Sequence, residues 1–169
     1  MSLRLVVLLS SVALAGCAAR GTIAAPDPIA VRLDGYSHLA VDVVAAVDED
    51  VEAESARLRE RIVEEVQKTG RFGSVGTSAS DGTPAGTLRL IATITDIRKV
   101  SGGQRFFGGV FAGRARVTLR VQLVETANGA VLEEQVVTGE SGGTGMSGGT
   151  GDALTRAARA IAKWLSPQA

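Results

Sequence analysis

The chain is 169 residues long, with 18 Lys and Arg balanced by 18 Asp and Glu, one His and one Cys. That balance leaves no basic excess for nucleic acid and no charge run for a highly charged partner. The length suits one domain with its own core, and a lone Cys excludes a disulfide framework, a thiolate metal site or a second thiol for redox chemistry.

At the N-terminus, Arg4 precedes an apolar run over residues 5–15 that is broken only by Ser10 and Ser11. A charged start, a short apolar run and small residues before a cut make a secretory signal peptide. The run is too short to cross a bilayer, which needs about 20 residues. It ends in Leu14-Ala15-Gly16-Cys17, which resembles the lipobox of bacterial lipoproteins. In that motif the Cys thiol is lipidated and becomes the first residue of the mature chain. The resemblance implies lipidation of Cys17 by several acyl chains, and multiple chains anchor stably where one binds only marginally. Asp at the next position would imply retention in the inner membrane; Ala18 implies the outer membrane, with the domain facing the periplasm. An ordinary signal peptide with a coincidental Cys is the competing reading. The expected division is a signal peptide over 1–16, a lipidated Cys and flexible tether over 17–37, and a periplasmic α+β domain over 38–169.

Residues 18–37 contain Gly21, Pro26, Pro28 and Gly35 without a sustained period. They read as a tether, reaching about 70 Å at most when extended, with a touchdown as a short strand at Ile29, Val31 and Leu33. Residues 38–47 (HLAVDVVAAV) are apolar and β-branched enough for a buried strand. Asp48, Glu49 and Asp50 suit a helix N-terminus. The helix they open runs to about residue 69, with Val51, Leu58, Ile62 and Val66 in one stripe and Gly70 as its stop. Residues 71–77 are a short strand candidate and 78–86 a loop.

Residues 87–100 alternate, with Leu88, Leu90, Ala92 and Ile94 on one face. Residues 114–124 alternate more cleanly: Ala115, Val117, Leu119, Val121 and Leu123 face one way, Arg114, Arg116, Thr118, Arg120 and Gln122 the other. A turn at Thr126-Ala127-Asn128-Gly129 returns the chain along residues 130–139. The register there stays open, because Val131 and Val137 compete with Leu132 and Val136 for the core face. A glycine-rich connector over residues 141–151 leads to a second helix over 152–165. Leu154, Ala157, Ala158, Ile161 and Leu165 form its stripe, Trp164 lies near its end and Pro167 stops it. The order β-α-β-β-β-β-α predicts a single α+β domain: a four- to five-stranded antiparallel or mixed sheet with two helices packed on one face.

Few residues carry chemistry. The connector spells G-x-G-x-x-G over residues 143–148, but no strand follows its helix to complete a dinucleotide site, and Gly149 stands where a phosphate-binding loop needs Lys. Asp152 at the helix start would repel a phosphate. His38 has no second His or Cys for a metal, and no motif marks a Ser beside it for a triad. Asp42 lies in an apolar strand, either buried and paired or facing solvent. These readings give no catalytic residue, no metal site and no cofactor. Arg114, Arg116 and Arg120 form a stripe with Glu133 or Glu134 as counter-charges across the hairpin, or a contact for an acidic partner or lipid headgroups. Phe106, Phe107 and Phe111 crowd a glycine-rich hairpin connection. They either grip a partner or a membrane interface, or fold back over the sheet or prolong its strands.

From residue 87 onward the chain resembles the domain-of-unknown-function 4410 family of bacterial lipoproteins. The carrying stretches are FFGGVFAGRA, ARVTLRVQLVETANGAVLEE, the Gly/Ser run before Asp152 and ALTRAARAIAKWL. The family assigns no catalytic residue, so the resemblance implies none. The expectation is a non-enzymatic, lipid-anchored outer-membrane lipoprotein serving as a periplasmic binding or accessory module for an envelope protein complex, without nucleic acid. Phe106, Phe107, Phe111, Arg114, Arg116 and Arg120 would be its contacts. The alternative is a small-ligand or peptidoglycan-binding lipoprotein with a cleft near the glycine connector.

Overall fold

Alternating apolar residues dictate a sheet with one face to bury, and two amphipathic helices supply the cover. The computed structural model describes residues 22–23, 29, 31–77, 84–100, 113–142 and 149–166. In chain order these form β1 (Thr22–Ile23), β2 (His38–Ala45), α1 (Glu52–Gln67), β3 (Ser74–Thr77), β4 (Thr87–Arg98), β5 (Arg116–Glu125), β6 (Val131–Glu140) and α2 (Thr150–Leu165). The sheet order is β1-β6-β5-β4-β2-β3. β2 runs parallel to β3 and β4, and the other neighbours are antiparallel. Five strands of four or more residues, a two-residue edge strand and two helices make a single α+β domain with a mixed sheet.

α1 lies over β2 and β3, α2 over β5 and β6, and the helices pack on each other. Both therefore cover one face. Leu58, Ile62 and Val66 are the fully buried stripe of α1. The helix begins at Glu52, later than the acidic cluster suggests, because the Asp50 carboxylate accepts the Glu52 N–H at 3.2 Å and so stands outside it. Gly70, at φ +64, ends the segment.

α2 is buried over a wider arc than its predicted stripe. Ala153, Ala160, Ala162 and Trp164 join Leu154, Ala157, Ala158, Ile161 and Leu165 inside. Alanine lets the helix backbone approach the sheet, and Gly139 on β6 completes the fit. A Cβ at Gly139 would overlap the Ala153 carbonyl and lie 2.8 Å from the Ala157 nitrogen. Asp152 closes the connector by accepting the Gly142 N–H at 3.0 Å and pairing with Arg156 at 3.1 Å.

Two irregularities settle the registers. The β5–β6 ladder shifts between Leu123 and Val124, making Leu132 the extra residue. Val137 is then fully buried and Leu132 packs against the core, while Val131 and Val136 are exposed. The β4–β5 ladder shifts between Ile94 and Asp96, so Ile97 turns inward and Arg98 outward.

Upstream of β2, the chain is built onto the β6 edge at two places. Thr22 pairs with Thr138 and Ile23 with Val137. Further along, the Val31 N–H donates to Glu133 Oε1 at 3.2 Å. Ile29 and Val31 pack against the core and Leu33 is inside it. These residues touch down as expected but outside any strand, since Val31 bonds a side chain rather than a ladder carbonyl.

Candidate functional site

The face of the sheet opposite the helices is the candidate site, and the register sets what stands on it. One row across the strands is Val44, Thr93, Arg120 and Val136; the next is Asp42, Ile91, Gln122 and Glu134. Val44 and Val136 are exposed at 46% and 48%. The stripe predicted at Arg114, Arg116 and Arg120 lies here, each side chain about half exposed. Arg120 stands 3.9 Å from Glu134, Arg116 3.6 Å and Arg114 3.9 Å from Glu140. Exposed pairs this loose contribute little stability, so the arginines are held mainly by the strands beneath them. Glu133, the other expected counter-charge, belongs to the edge contact with Val31 instead.

Asp42 is both buried and paired: it is 8% exposed and bonds Arg89, its neighbour across β2 and β4. Its carboxylate is committed to holding the open face together.

His38 and Ser74 are register partners on β2 and β3, and His38 Nδ1 lies 2.6 Å from Ser74 Oγ. The structure thus supplies the serine that the sequence left unmarked. Among the described residues no carboxylate pairs with His38 to orient it, and the hydroxyl stands exposed on an edge strand. A nucleophile needs a base that a third group holds in place. The pair is a cross-strand hydrogen bond.

At the end of the sheet where β5 turns into β6, Tyr36 donates to Glu125 Oε1 at 2.7 Å, and Asn128 donates to Oε2 at 2.6 Å. Bonding to the carboxylate, with some desolvation and its charge, raises the Tyr36 hydroxyl above its ordinary pKa of 10.0. The two residues border a cleft of about 550 Å³ with Arg32, Pro84 and Thr126. A smaller cleft of about 320 Å³ lies beside Trp164, Arg71 and Asp34. Its arginine lies over the Phe72 ring, 5.5 Å from the centroid. The buried Trp164 Nε1 has no hydrogen-bond partner. Both clefts are remote from residues 149–151, at the opposite end of α2 and the sheet. Neither was legible beforehand, since 89 residues separate Tyr36 from Glu125.

Among the described residues no group of His, Cys, Asp and Glu could hold a metal ion, and no helix is long and apolar enough to cross a membrane. Cys17, Phe106, Phe107, Phe111 and the G-x-G-x-x-G run over residues 143–148 lie outside the described residues.

Residues 29–145 match the family described as Domain of unknown function (DUF4410). No curated protein matches the chain. Among solved structures, a variant PelC dodecamer from Paraburkholderia phytofirmans is similar, at 16% identity and a TM-score of 0.58, over 88% of this chain and 99% of that one. A second PelC dodecamer structure from the same organism aligns at 14% identity and a TM-score of 0.56, over 89% and 96% of the two chains. At such identities the likeness is one of fold. Neither neighbour is named for an enzymatic activity.

Proposed function

The chain belongs to the DUF4410 family, and on that premise we propose that it is a lipid-anchored outer-membrane lipoprotein. Its periplasmic domain serves, without catalysis, as a binding module for an envelope protein complex. The observation that carries this reading is the sheet face that no described helix covers, where Arg120 shares a cross-strand row with exposed Val44 and Val136, and Arg116 and Arg114 stand at and just before the start of β5. Mixed basic and apolar surface on an open sheet face suits a protein partner better than a small molecule. The lipobox at Cys17 supports the address. The absence of a carboxylate behind His38 and Ser74, among the described residues, supports a non-catalytic role.

Phe106, Phe107 and Phe111 belong to the connection between β4 and β5, and serve as a further contact for partner or membrane. Copies of the same chain are the first partner to seek, since both solved neighbours are described as dodecamers.

Photo-crosslinking in intact cells, with the probe at Arg120 or at Phe107, tests the reading. A discrete protein adduct supports it. Retention on purified peptidoglycan with no protein adduct would favour the alternative, a cell-wall or small-ligand lipoprotein.

A further inference from the structure

The point where the tether joins the domain and a cluster of arginines share one corner of the sheet. β1 seats Thr22 beside Thr138, two residues from Glu140, which stands opposite Arg116. Four residues lie between Cys17 and Thr22, five chain steps that span about 17 Å at full extension. A lipid on Cys17 therefore keeps this corner close to the bilayer, where a tether free to residue 37 would have allowed about 70 Å.

The corner is basic on its open face. Arg98 stands directly opposite Arg116, an arrangement of like charges that weakens a sheet. The Arg98 guanidinium lies against Gly113, where a Cβ would come within 2.7 Å of Nη2; Gly113 also has φ +76. A side chain at Gly113 would be strained by that φ and would have to displace the guanidinium, which lies against the residue that precedes Arg114. Among the described residues Arg98 makes no ion pair, and Glu140 alone pairs with Arg114 and Arg116, at 3.9 and 3.6 Å. Two guanidiniums thus share one carboxylate at distances longer than the 2.7–2.9 Å of a tight charge-assisted bond, and the third has no counter-charge among the described residues.

Acidic groups stand at the same end. Asp96 lies one row back on the open face. Asp48, Glu49, Asp50, Glu52 and Glu54 follow β2, two strands and about 10 Å beyond β5. Lys99 reaches into that group, 2.6 Å from the Asp50 carbonyl and 3.2 Å from Glu54. A negative surface would attract the β5–β6 corner and repel the β2 side, which tilts the sheet.

We propose that Arg98, Arg114 and Arg116 form a second membrane contact, binding the phosphates of anionic lipids in the leaflet that holds the anchor. This rests on the lipid-anchored reading above and deepens it. The contact fixes the domain's tilt and holds the β5–β6 turn at residues 126–129 about 30 Å farther out, the length of a ten-residue strand.

The test uses the mature protein with its own lipid, reconstituted into nanodiscs carrying a gadolinium-chelate lipid, with amide broadening as the readout. In discs containing phosphatidylglycerol, the amides of Arg98, Arg116 and Glu140 should broaden while those of Thr126 and Gly129 stay sharp. Pure phosphatidylcholine, high salt or the triple variant R98Q/R114Q/R116Q should weaken the contrast to what the short tether alone imposes, and R98K/R114K/R116K should retain most of it. The same spectra show whether each variant is folded. Equal broadening at both ends, or an unchanged pattern in the glutamine variant, would overturn the proposal. So would inorganic phosphate shifting the same amides with no preference for anionic discs, which marks a soluble-anion site. A free Cys17 thiol in the intact mass would overturn the anchor and this contact together, whereas a lipidated protein that tumbles without preferred tilt overturns the contact alone.

Discussion

Val136 and Val137 are chain neighbours in β6, yet one is 48% exposed and the other fully buried. They stand on the two faces of one sheet. The covered face is closed by Leu, Ile and Val against α1 and α2; the open face carries Arg, Glu, Gln and Thr, with apolar residues interspersed. Stability therefore resides on one side of a sheet about one residue thick. The other side is free to vary its chemistry, which is where a binding surface can be built at little cost to folding.

Substitutions can break that contrast or sharpen it. The largest effect is expected from Leu119→Ala, a fully buried truncation on β5 costing about 3 kcal/mol, against no more than about 0.5 kcal/mol for its neighbour Arg120→Ala on the open face. Urea unfolding of the two variants measures both. Gly139→Ala should follow at about 2 kcal/mol, because its methyl group meets the backbone of α2 at Ala153 and Ala157. Trp164, the single Trp and buried on that helix, reports any undocking through its fluorescence. Val137→Ala should cost about 2 kcal/mol and Val136→Ala a few tenths; equal costs would erase the distinction between the faces.

The smallest effect lies at the hairpin end. Tyr36 is the only tyrosine, so tyrosinate absorbance follows it alone. Its titration midpoint should lie above 10.0 in the folded protein and fall back toward it in Glu125→Ala, which removes the hydrogen bond and the charge but not the desolvation. The sign follows from linkage: a raised folded pKa gives stability that is present below the unfolded value and is lost as pH rises through the folded one.

Much of this arrangement is legible in the residues themselves. Alternation alone puts Leu119 and Leu123 inside and Arg116 and Arg120 outside, and a four-residue step marks Leu58, Ile62 and Val66. What alternation cannot show is where the count slips. The shift after Ile94 carries Arg98 onto the open face, so an even-numbered residue in a strand whose even positions start inside becomes part of the basic corner. The shift beside Leu132 likewise brings Leu132 to the same face as Val137, although one is even and the other odd, and leaves Val131 outside. Alanine hides the breadth of the α2 interface, because its small side chain suits core and surface alike. The pairings of His38 with Ser74 and Tyr36 with Glu125 leave no local trace, being made between strands and turns distant in sequence.

Mooring at Cys17 is the claim on which the address, the tilt and the adaptor role all depend. Intact mass spectrometry of the chain extracted from membranes tests it most directly. The account predicts a polypeptide beginning at Cys17 and heavier than its sequence by the mass of its acyl chains. A chain that retains residues 1–16, or one cut elsewhere with Cys17 unmodified, would contradict it.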